Sequence, residues 1–220
     1  MRLKIVWEFL LGLLFPERCP LCDEPVKTGE KGFCRECRKK LRIVGEGGKM
    51  KREHVAEVRV LYEYPSVAPA VYRFKYSGRK RYAAVFAKEI YDELGEVIKT
   101  WRADGIIAVP LHPKRLRKRG YNQAALLAKE LSKYLGVPFY SSLVQRIKNT
   151  VPLKELNASE RQNNLKKAFK MCQNDVKLNT IIIVDDIYTT GQTVEEMAKL
   201  LWFHGVKQIY VVALAGGSDA

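Results

Sequence analysis

Two adjacent carboxylates followed by a hydroxyl-rich loop are the residues of this sequence best suited to chemistry. Four β-branched residues, 181–184, predict a buried strand, and Asp185 and Asp186 follow it directly. The loop and the start of the next amphipathic helix offer backbone N–H groups and hydroxyls to an anion, from Thr189, Thr190, Gly191, Gln192 and Thr193. Carboxylates cannot hold a phosphate, but they suit sugar hydroxyls or a Mg²⁺ ion beside it. The segment therefore predicts a site for a phosphorylated sugar.

Four of the five cysteines form two C-x-x-C pairs, with eleven residues between the inner cysteines: Cys19, Cys22, Cys34 and Cys37. Together they supply the tetrahedral sulfur set that zinc prefers, and a site closed in this way folds a small domain rather than catalysing. Iron in a rubredoxin-like site is the alternative metal. A redox-active role for the two cysteine pairs is less well supported, because a redox-active C-x-x-C motif usually begins a helix within a larger thioredoxin-like unit. Cys172 is left as an ordinary thiol.

Two basic clusters account for much of the formal charge of +15. The first lies in a predicted loop after a buried strand, residues 105–111, and packs five cations into six positions: Lys114, Arg115, Arg117, Lys118 and Arg119. Such density repels itself unless anions neutralise it. The second cluster is interleaved with Phe74, Tyr76 and Tyr82, and contains Arg73, Lys75, Arg79, Lys80 and Arg81. It either follows a single-stranded nucleic acid by charge and stacking or forms a solvated helix face.

The elements that must position these residues alternate along the chain. Strands are predicted at residues 58–64, 105–111, 181–184 and 206–214, and helices at 67–76, 82–101 and 122–135. The alternation predicts an α/β fold with a mostly parallel sheet flanked by helices, and a small N-terminal zinc-binding module. A glycine-rich linker at residues 45–49 separates the module, residues 1–45, from the larger domain, residues 50–220. In a parallel sheet, the first basic cluster and the 189–193 loop share one edge.

The N-terminal residues 5–15 are apolar and resemble the hydrophobic region of a signal peptide. Glu8 interrupts them, however, and no small-residue cleavage site follows. The stretch is also too short to span a bilayer. We expect a helix docked on the rest of the chain, no membrane span and a cytoplasmic protein, which agrees with zinc-type cysteines.

The 181–193 segment resembles the 5-phosphoribosyl-1-pyrophosphate (PRPP) loop of type I phosphoribosyltransferases, although Tyr188 is bulkier than the usual aliphatic residue. The resemblance implies that Asp185 and Asp186 hold the ribose hydroxyls and stabilise positive charge at C1, while residues 189–193 hold the 5′-phosphate. The first basic cluster and Mg²⁺ would together bind the pyrophosphate and neutralise its charge. His112 lies nearby, but a lone histidine in a basic segment is more often a hydrogen-bonding bystander than a general base.

The order of motifs over nearly the whole chain resembles the ComF family, which is associated with natural transformation. The motifs are the Cys₄ module, FKYSG at residues 74–78, RGYNQ at 119–123, and the PRPP loop. Leu153 and Lys167 depart from the family pattern within residues 150–169. The resemblance implies a PRPP-binding protein of DNA uptake that transfers phosphoribosyl to an unidentified acceptor. The alternative is a non-catalytic single-stranded DNA-binding adaptor, with a competence helicase as a possible partner.

Overall fold

The central sheet has four parallel strands. The computed structural model describes residues 17–27, 31–44, 52–148, 168–172 and 176–217. Within them the sheet order is β1–β6–β5–β2, with β1 at Glu57–Glu63, β2 at Gly105–Ala108, β5 at Thr180–Tyr188 and β6 at Gln208–Gly216. A separate antiparallel pair consists of β3, Val144–Arg146, and β4, Phe169–Met171. The predicted α/β class with a mostly parallel sheet is confirmed.

Helices cover both faces of this sheet. They are α1 at Arg35–Arg38, α2 at Tyr64–Tyr76, α3 at Tyr82–Thr100, α4 at Pro113–Arg119, α5 at Gln123–Leu135 and α6 at Gln192–Phe203. Alternate residues of β5 point to opposite faces: Ile182 packs with α2, α3 and α5, whereas Ile183 packs with α6 and the β3–β4 pair. Burial on both faces explains why the strand is a continuous run of β-branched residues.

Three element boundaries differ from the sequence prediction. Strand β5 does not end before the acidic pair but runs on to Tyr188, because Asp185 and Ile187 still pair with residues of β6. The first basic cluster is a helix rather than a loop, since Pro113 suits the first helical position and Gly120, at φ +80°, ends the helix. Strand β2 ends at Ala108, just before Pro110, which has no N–H to donate.

The cysteine-containing segment packs on the sheet and its helices. Residues 42–44 run antiparallel to the edge of β1, where Val44 N–H donates to the Leu61 carbonyl at 2.9 Å. Cys19, Phe33 and Cys37 join the same apolar core as Phe86 of α3. The predicted helix at residues 5–15, the linker at 45–49 and most of residues 150–169 lie outside the described residues. Among the described helices, none is both long and apolar enough to cross a bilayer.

Candidate functional site

The acidic pair lies at the carboxyl end of β5, in the middle of the parallel sheet. Asp185 pairs with Ala213 of β6, and its Oδ1 accepts the N–H of Asp186 at 2.8 Å. Burial, followed by the neighbouring carboxylate of Asp186, raises the pKa of Asp185 well above its usual range, and Lys75 opposes that rise. A positive or hydrogen-bonding ligand beside Asp185 is therefore favoured.

The loop after β5 is held from behind by two side chains. Gly191 is the N-cap of α6 and adopts φ +70°. The space that a Cβ atom would occupy there is filled by the Tyr188 hydroxyl and by Arg52, whose guanidinium also donates to the Thr190 carbonyl. Thr189 and Thr190 are exposed on the outer side. The notch that the loop lines measures about 20 Å³, so it is too small to enclose a phosphate group.

The basic helix α4 approaches the acidic pair through Arg146 of β3. Burial, followed by the charge of Arg115, lowers the pKa of Arg146 to about 10. The negative charge of Asp185 opposes this shift. Lost hydration and the charges of Lys114, Arg146 and Arg115 lower the pKa of His112. The His112 Nδ1 accepts the Lys114 N–H at 3.2 Å and caps α4, in agreement with the predicted bystander role. Lys114 and Arg117 are exposed.

Arg119, at the end of α4, contacts protein groups of α2 and α5. Its guanidinium donates to Gln123 Oε1 at 2.7 Å and lies 5.1 Å from the centre of the Tyr76 ring. Gln123 is 1% exposed, and its Nε2 donates to the Lys75 carbonyl at 3.5 Å. Tyr121 donates its hydroxyl to the Phe74 carbonyl. The RGYNQ motif therefore fixes the end of α2, which carries FKYSG.

Lys75 reaches the acidic pair, which the sequence analysis did not predict. Its Nζ lies 2.5 Å from Asp186 Oδ2, and only 16% of the Lys75 side chain and 14% of the Asp186 side chain are exposed. The sequence placed Lys75 in the second basic cluster because its neighbours are cationic. Only the packing of α2 beside the carboxyl end of β5 reveals the contact. Arg146 was missed for the same reason.

The four C-x-x-C cysteines come together as predicted. Their sulfur atoms all lie within 4.8 Å of one another, and Cys22 Sγ is 3.9 Å from Cys34 Sγ. Tetrahedral zinc with bonds of about 2.3 Å places its sulfurs about 3.8 Å apart. The donor set therefore fits a structural zinc ion. Cys172 lies apart from this cluster.

The zinc module is joined to α2 and α3 by polar contacts. Arg38 of α1 donates to both carboxylate oxygens of Glu89 at 2.9 and 2.6 Å, and the Tyr62 hydroxyl donates to Glu89 at 2.7 Å. Arg73 donates to the Leu21 carbonyl at 2.7 Å, between the first two cysteines. Asp23 accepts from the Tyr82 hydroxyl and from Arg79. The module thus holds the helix that carries Lys75.

Comparison with known proteins agrees with this architecture. Residues 122–219 match the phosphoribosyl transferase domain, and residues 10–47 match the double zinc ribbon domain. Competence protein F of Haemophilus influenzae is 31% identical over 206 residues, covering 90% of this chain and 89% of that protein. DNA utilization protein YhgH of Escherichia coli K12 is 30% identical over 226 residues, covering 92% and 98%. A purine phosphoribosyltransferase structure from Pyrococcus horikoshii has a TM-score of 0.38 at 22% identity, over 59% of this chain and 72% of that one.

The fold and the matched domains define a type I phosphoribosyltransferase fold with an N-terminal double zinc ribbon. The chain belongs to the family of competence protein F and DNA utilization protein YhgH, which confirms the predicted ComF resemblance.

Proposed function

We propose that this protein binds PRPP at the end of β5 and acts in DNA uptake, as the names of its relatives suggest. The observation that carries the proposal is the acidic pair near the carboxyl end of β5, two residues before a loop that leads into the N-terminus of α6. Asp185 and Asp186 would accept hydrogen bonds from the ribose hydroxyls. Thr189, Thr190, Gly191, Gln192 and Thr193 would hold the 5′-phosphate with backbone N–H groups, hydroxyls and the helix dipole.

The pyrophosphate end of PRPP would face the cations of α4. Arg115 is close enough to influence the electrostatics of Arg146, and Arg146 those of Asp185, so positive charge extends from α4 to the acidic pair. Lys114 and Arg117 are exposed on the same helix. Arg119 is a weaker candidate than the sequence suggested, because it already contacts Gln123 and Tyr76. Mg²⁺ bound to the pyrophosphate would neutralise part of its charge.

Transfer of the phosphoribosyl group would rest on electrostatic stabilisation. Positive charge develops at C1 as pyrophosphate leaves, and the carboxyl groups of the acidic pair would stabilise it, while Arg115 and neighbouring cations would stabilise the leaving group. A nucleophile, a base nitrogen or ammonia, would then form the new bond to C1. Release of pyrophosphate that depends on an added base measures this step directly.

Calorimetric titration of PRPP with Mg²⁺ into the zinc-loaded protein tests the proposed site. We expect saturable binding by the wild type and loss of at least about tenfold in affinity for Asp185→Asn/Asp186→Asn. Asp92→Asn/Glu96→Gln is the matched control, since it removes two carboxylates of α3 that pair with exposed lysines. Absence of PRPP binding by the folded wild type, or equal loss in the control, would refute the proposal.

Single-stranded DNA binding is a second candidate function, favoured by one surface of α2. Tyr72 and Tyr76 are each 62% exposed, with ring centres 5.0 Å apart, and Arg119 lies over the Tyr76 ring. Exposed aromatic rings beside cations can stack bases while neutralising phosphates. A cytoplasmic location and a competence helicase as partner are further proposals drawn from the sequence and the family.

Salt dependence and a matched pair of variants test the DNA-binding candidate. Affinity for an oligothymidylate should fall steeply with rising salt. Tyr72→Ala/Tyr76→Ala should weaken it by at least about tenfold, at about 1 kcal/mol or more per stacked base. Tyr134→Ala is the control, because Tyr134 is also exposed and stacked but on Tyr91 of α3. No binding at low salt, or equal losses in both variants, would exclude this surface.

A further inference from the structure

The contact between Lys75 and the acidic pair is part of a built arrangement. Lys75 lies on the last turn of α2, and its ammonium contacts Asp186 Oδ2 while the side chain stays largely buried. An exposed lysine would gain little from such a pair, because water screens it. A buried pair is attracted much more strongly, and removing one partner leaves an uncompensated charge. The position of Lys75 therefore governs the charge of the acidic pair.

Contacts from two directions fix the backbone that carries Lys75. On one side, Gln123 donates to the Lys75 carbonyl and Tyr121 to the preceding carbonyl. On the other, Arg73 donates to the Leu21 carbonyl of the zinc module. Both conspicuous sequence motifs outside the PRPP loop, RGYNQ and the Cys₄ module, thus converge on the helix end from which Lys75 extends. A lysine that merely solubilised the surface would need neither contact.

The charges around the acidic pair explain what Lys75 does there. Two carboxylates side by side attract a divalent cation and repel phosphates, but the proposed ligand carries anionic groups at both ends of its ribose. Lys75 compensates Asp186. Arg146 also interacts electrostatically with Asp185 and with Arg115. With Lys75 in place the two carboxyl groups still offer hydrogen-bond acceptors, while the negative charge of Asp186 is offset by the ammonium beside it.

We propose that Lys75 determines the ligand specificity of the acidic pair: it makes the pair accept neutral ribose hydroxyls between two phosphates, and prevents the pair from binding a divalent cation directly. The inference rests on the proposed function for the identity of the hydroxyl ligand. It also answers a question that the sequence leaves open, whether the pair holds sugar hydroxyls or Mg²⁺. The metal that accompanies PRPP is then held by the ligand's own phosphates.

Titration with Mn²⁺ alone tests the role of Lys75 without PRPP. At pH 8, calorimetry and Mn²⁺ magnetic resonance of the zinc-loaded protein should show no Mn²⁺ at the pair in the wild type. Lys75→Met should bind Mn²⁺ at least about tenfold more tightly, and Lys75→Met/Asp186→Asn should lose that gain. Lys75→Arg, which keeps the charge, should behave like the wild type. If Lys75→Met does not fold, Lys75→Gln replaces it in the same titration, with the same expected gain in Mn²⁺ affinity.

The outcomes separate this inference from the proposed function. Equal Mn²⁺ affinity in folded Lys75→Met and wild type, or wild-type binding that Asp186→Asn abolishes, would overturn the role of Lys75. If Lys75→Met gains Mn²⁺ but the wild type binds no PRPP, the charge role stands and the proposed ligand is wrong. If PRPP binds, Lys75→Met should weaken PRPP binding at low Mg²⁺ by at least about tenfold, because the repulsion of its phosphates is no longer offset.

Discussion

Gly191 combines a left-handed backbone with close packing of its surroundings. Its φ of +70° is close to that of Gly136, +68°, but the two glycines have different surroundings. A Cβ atom on Gly136 meets nothing within 4 Å, whereas one on Gly191 runs into the Tyr188 hydroxyl and Arg52. Tyr188, the departure from the usual aliphatic residue, thus makes this loop less tolerant of a side chain than its sequence suggests.

Alanine substitution at the two glycines separates strain from packing. We expect Gly136→Ala to lower the free energy of unfolding by about 1–2 kcal/mol, because only the left-handed conformation is penalised. Gly191→Ala should cost at least about 1 kcal/mol more, and should weaken PRPP binding by displacing the 189–191 loop. Chemical denaturation and PRPP titration measure both effects. Equal stability losses, with PRPP binding intact in Gly191→Ala, would contradict this account of the loop.

Asp185 should make stability depend on pH in a defined direction. Its pKa is raised by burial and by Asp186, so the folded protein binds the Asp185 proton more tightly than the unfolded chain does. Stability should therefore fall as pH rises from about 3.9, the ordinary pKa of aspartic acid, through the raised pKa. Asp185→Asn should be more stable than the wild type at pH 8, and the difference should disappear at low pH.

Denaturation of Asp185→Asn between pH 4 and pH 8 measures this effect. Asp92→Asn provides the comparison, because its carboxylate is exposed beside Lys88 and should change stability by about 0.5 kcal/mol or less. A wild type that is more stable than Asp185→Asn at pH 8 would show that Lys75 and Arg146 outweigh the cost of burial.

At the residue scale, the sequence predicted the acidic pair, the PRPP loop and the four cysteines because each is a local pattern. Lys75 and Arg146 have no such pattern. Lys75 belongs to a cluster of cations, and Arg146 lies in a three-residue strand. Their association with Asp186 and Asp185 depends on how α2 and β3 pack near the carboxyl end of β5, which no spacing in the sequence records.

Helix α1 of the zinc module is fixed to α3 through Glu89. Glu89 is 7% exposed and accepts hydrogen bonds from Arg38 and Tyr62. Arg38→Ala removes two hydrogen bonds from this buried carboxylate, so we expect a loss of about 2–3 kcal/mol in the free energy of unfolding. Lys39→Ala in the adjoining residue removes only an exposed pair with Glu36, and should cost about 0.5 kcal/mol or less.

Denaturation of the two zinc-loaded variants distinguishes a structural contact from a surface pair. Zinc content measured before and after unfolding controls for loss of the metal itself. Similar stabilities of Arg38→Ala and Lys39→Ala would mean that the module does not depend on Glu89 for docking.

At the element scale, periodicity identified the long helices and the buried strands, and long-range pairing decided their ends. The four β-branched residues of β5 are a strong local signal, but its continuation through Asp185 to Tyr188 comes from hydrogen bonding to β6. The short helix α4 was predicted as a loop, because its crowded positive charge obscured the helix signals of Pro113 and Gly120. In each case the sequence placed these residues at the carboxyl edge of the sheet, where the structure also has them.

For the whole molecule, helix α2 connects the zinc module to the proposed PRPP site. The module's Leu21 carbonyl and Asp23 hold Arg73 and Arg79, which flank Lys75. Cys19 and Cys37 are themselves part of the core beneath α3. Zinc binding energy is folding energy for such a module. Loss of zinc should therefore affect the acidic pair, although the cysteines do not contact that pair directly.

Zinc removal should weaken PRPP binding. A zinc-selective chelator, with Mg²⁺ kept saturating, should raise the dissociation constant for PRPP at least about tenfold and lower the melting temperature, because α2 loses the contacts that present Lys75. Restoring zinc should reverse both changes. The control is Arg73→Lys in the zinc-loaded protein, which keeps the charge but not the paired contacts to Leu21 and Pro20; it should weaken PRPP binding without releasing zinc. Unchanged PRPP affinity in the fully zinc-free protein would mean that the module stabilises the chain independently of the site.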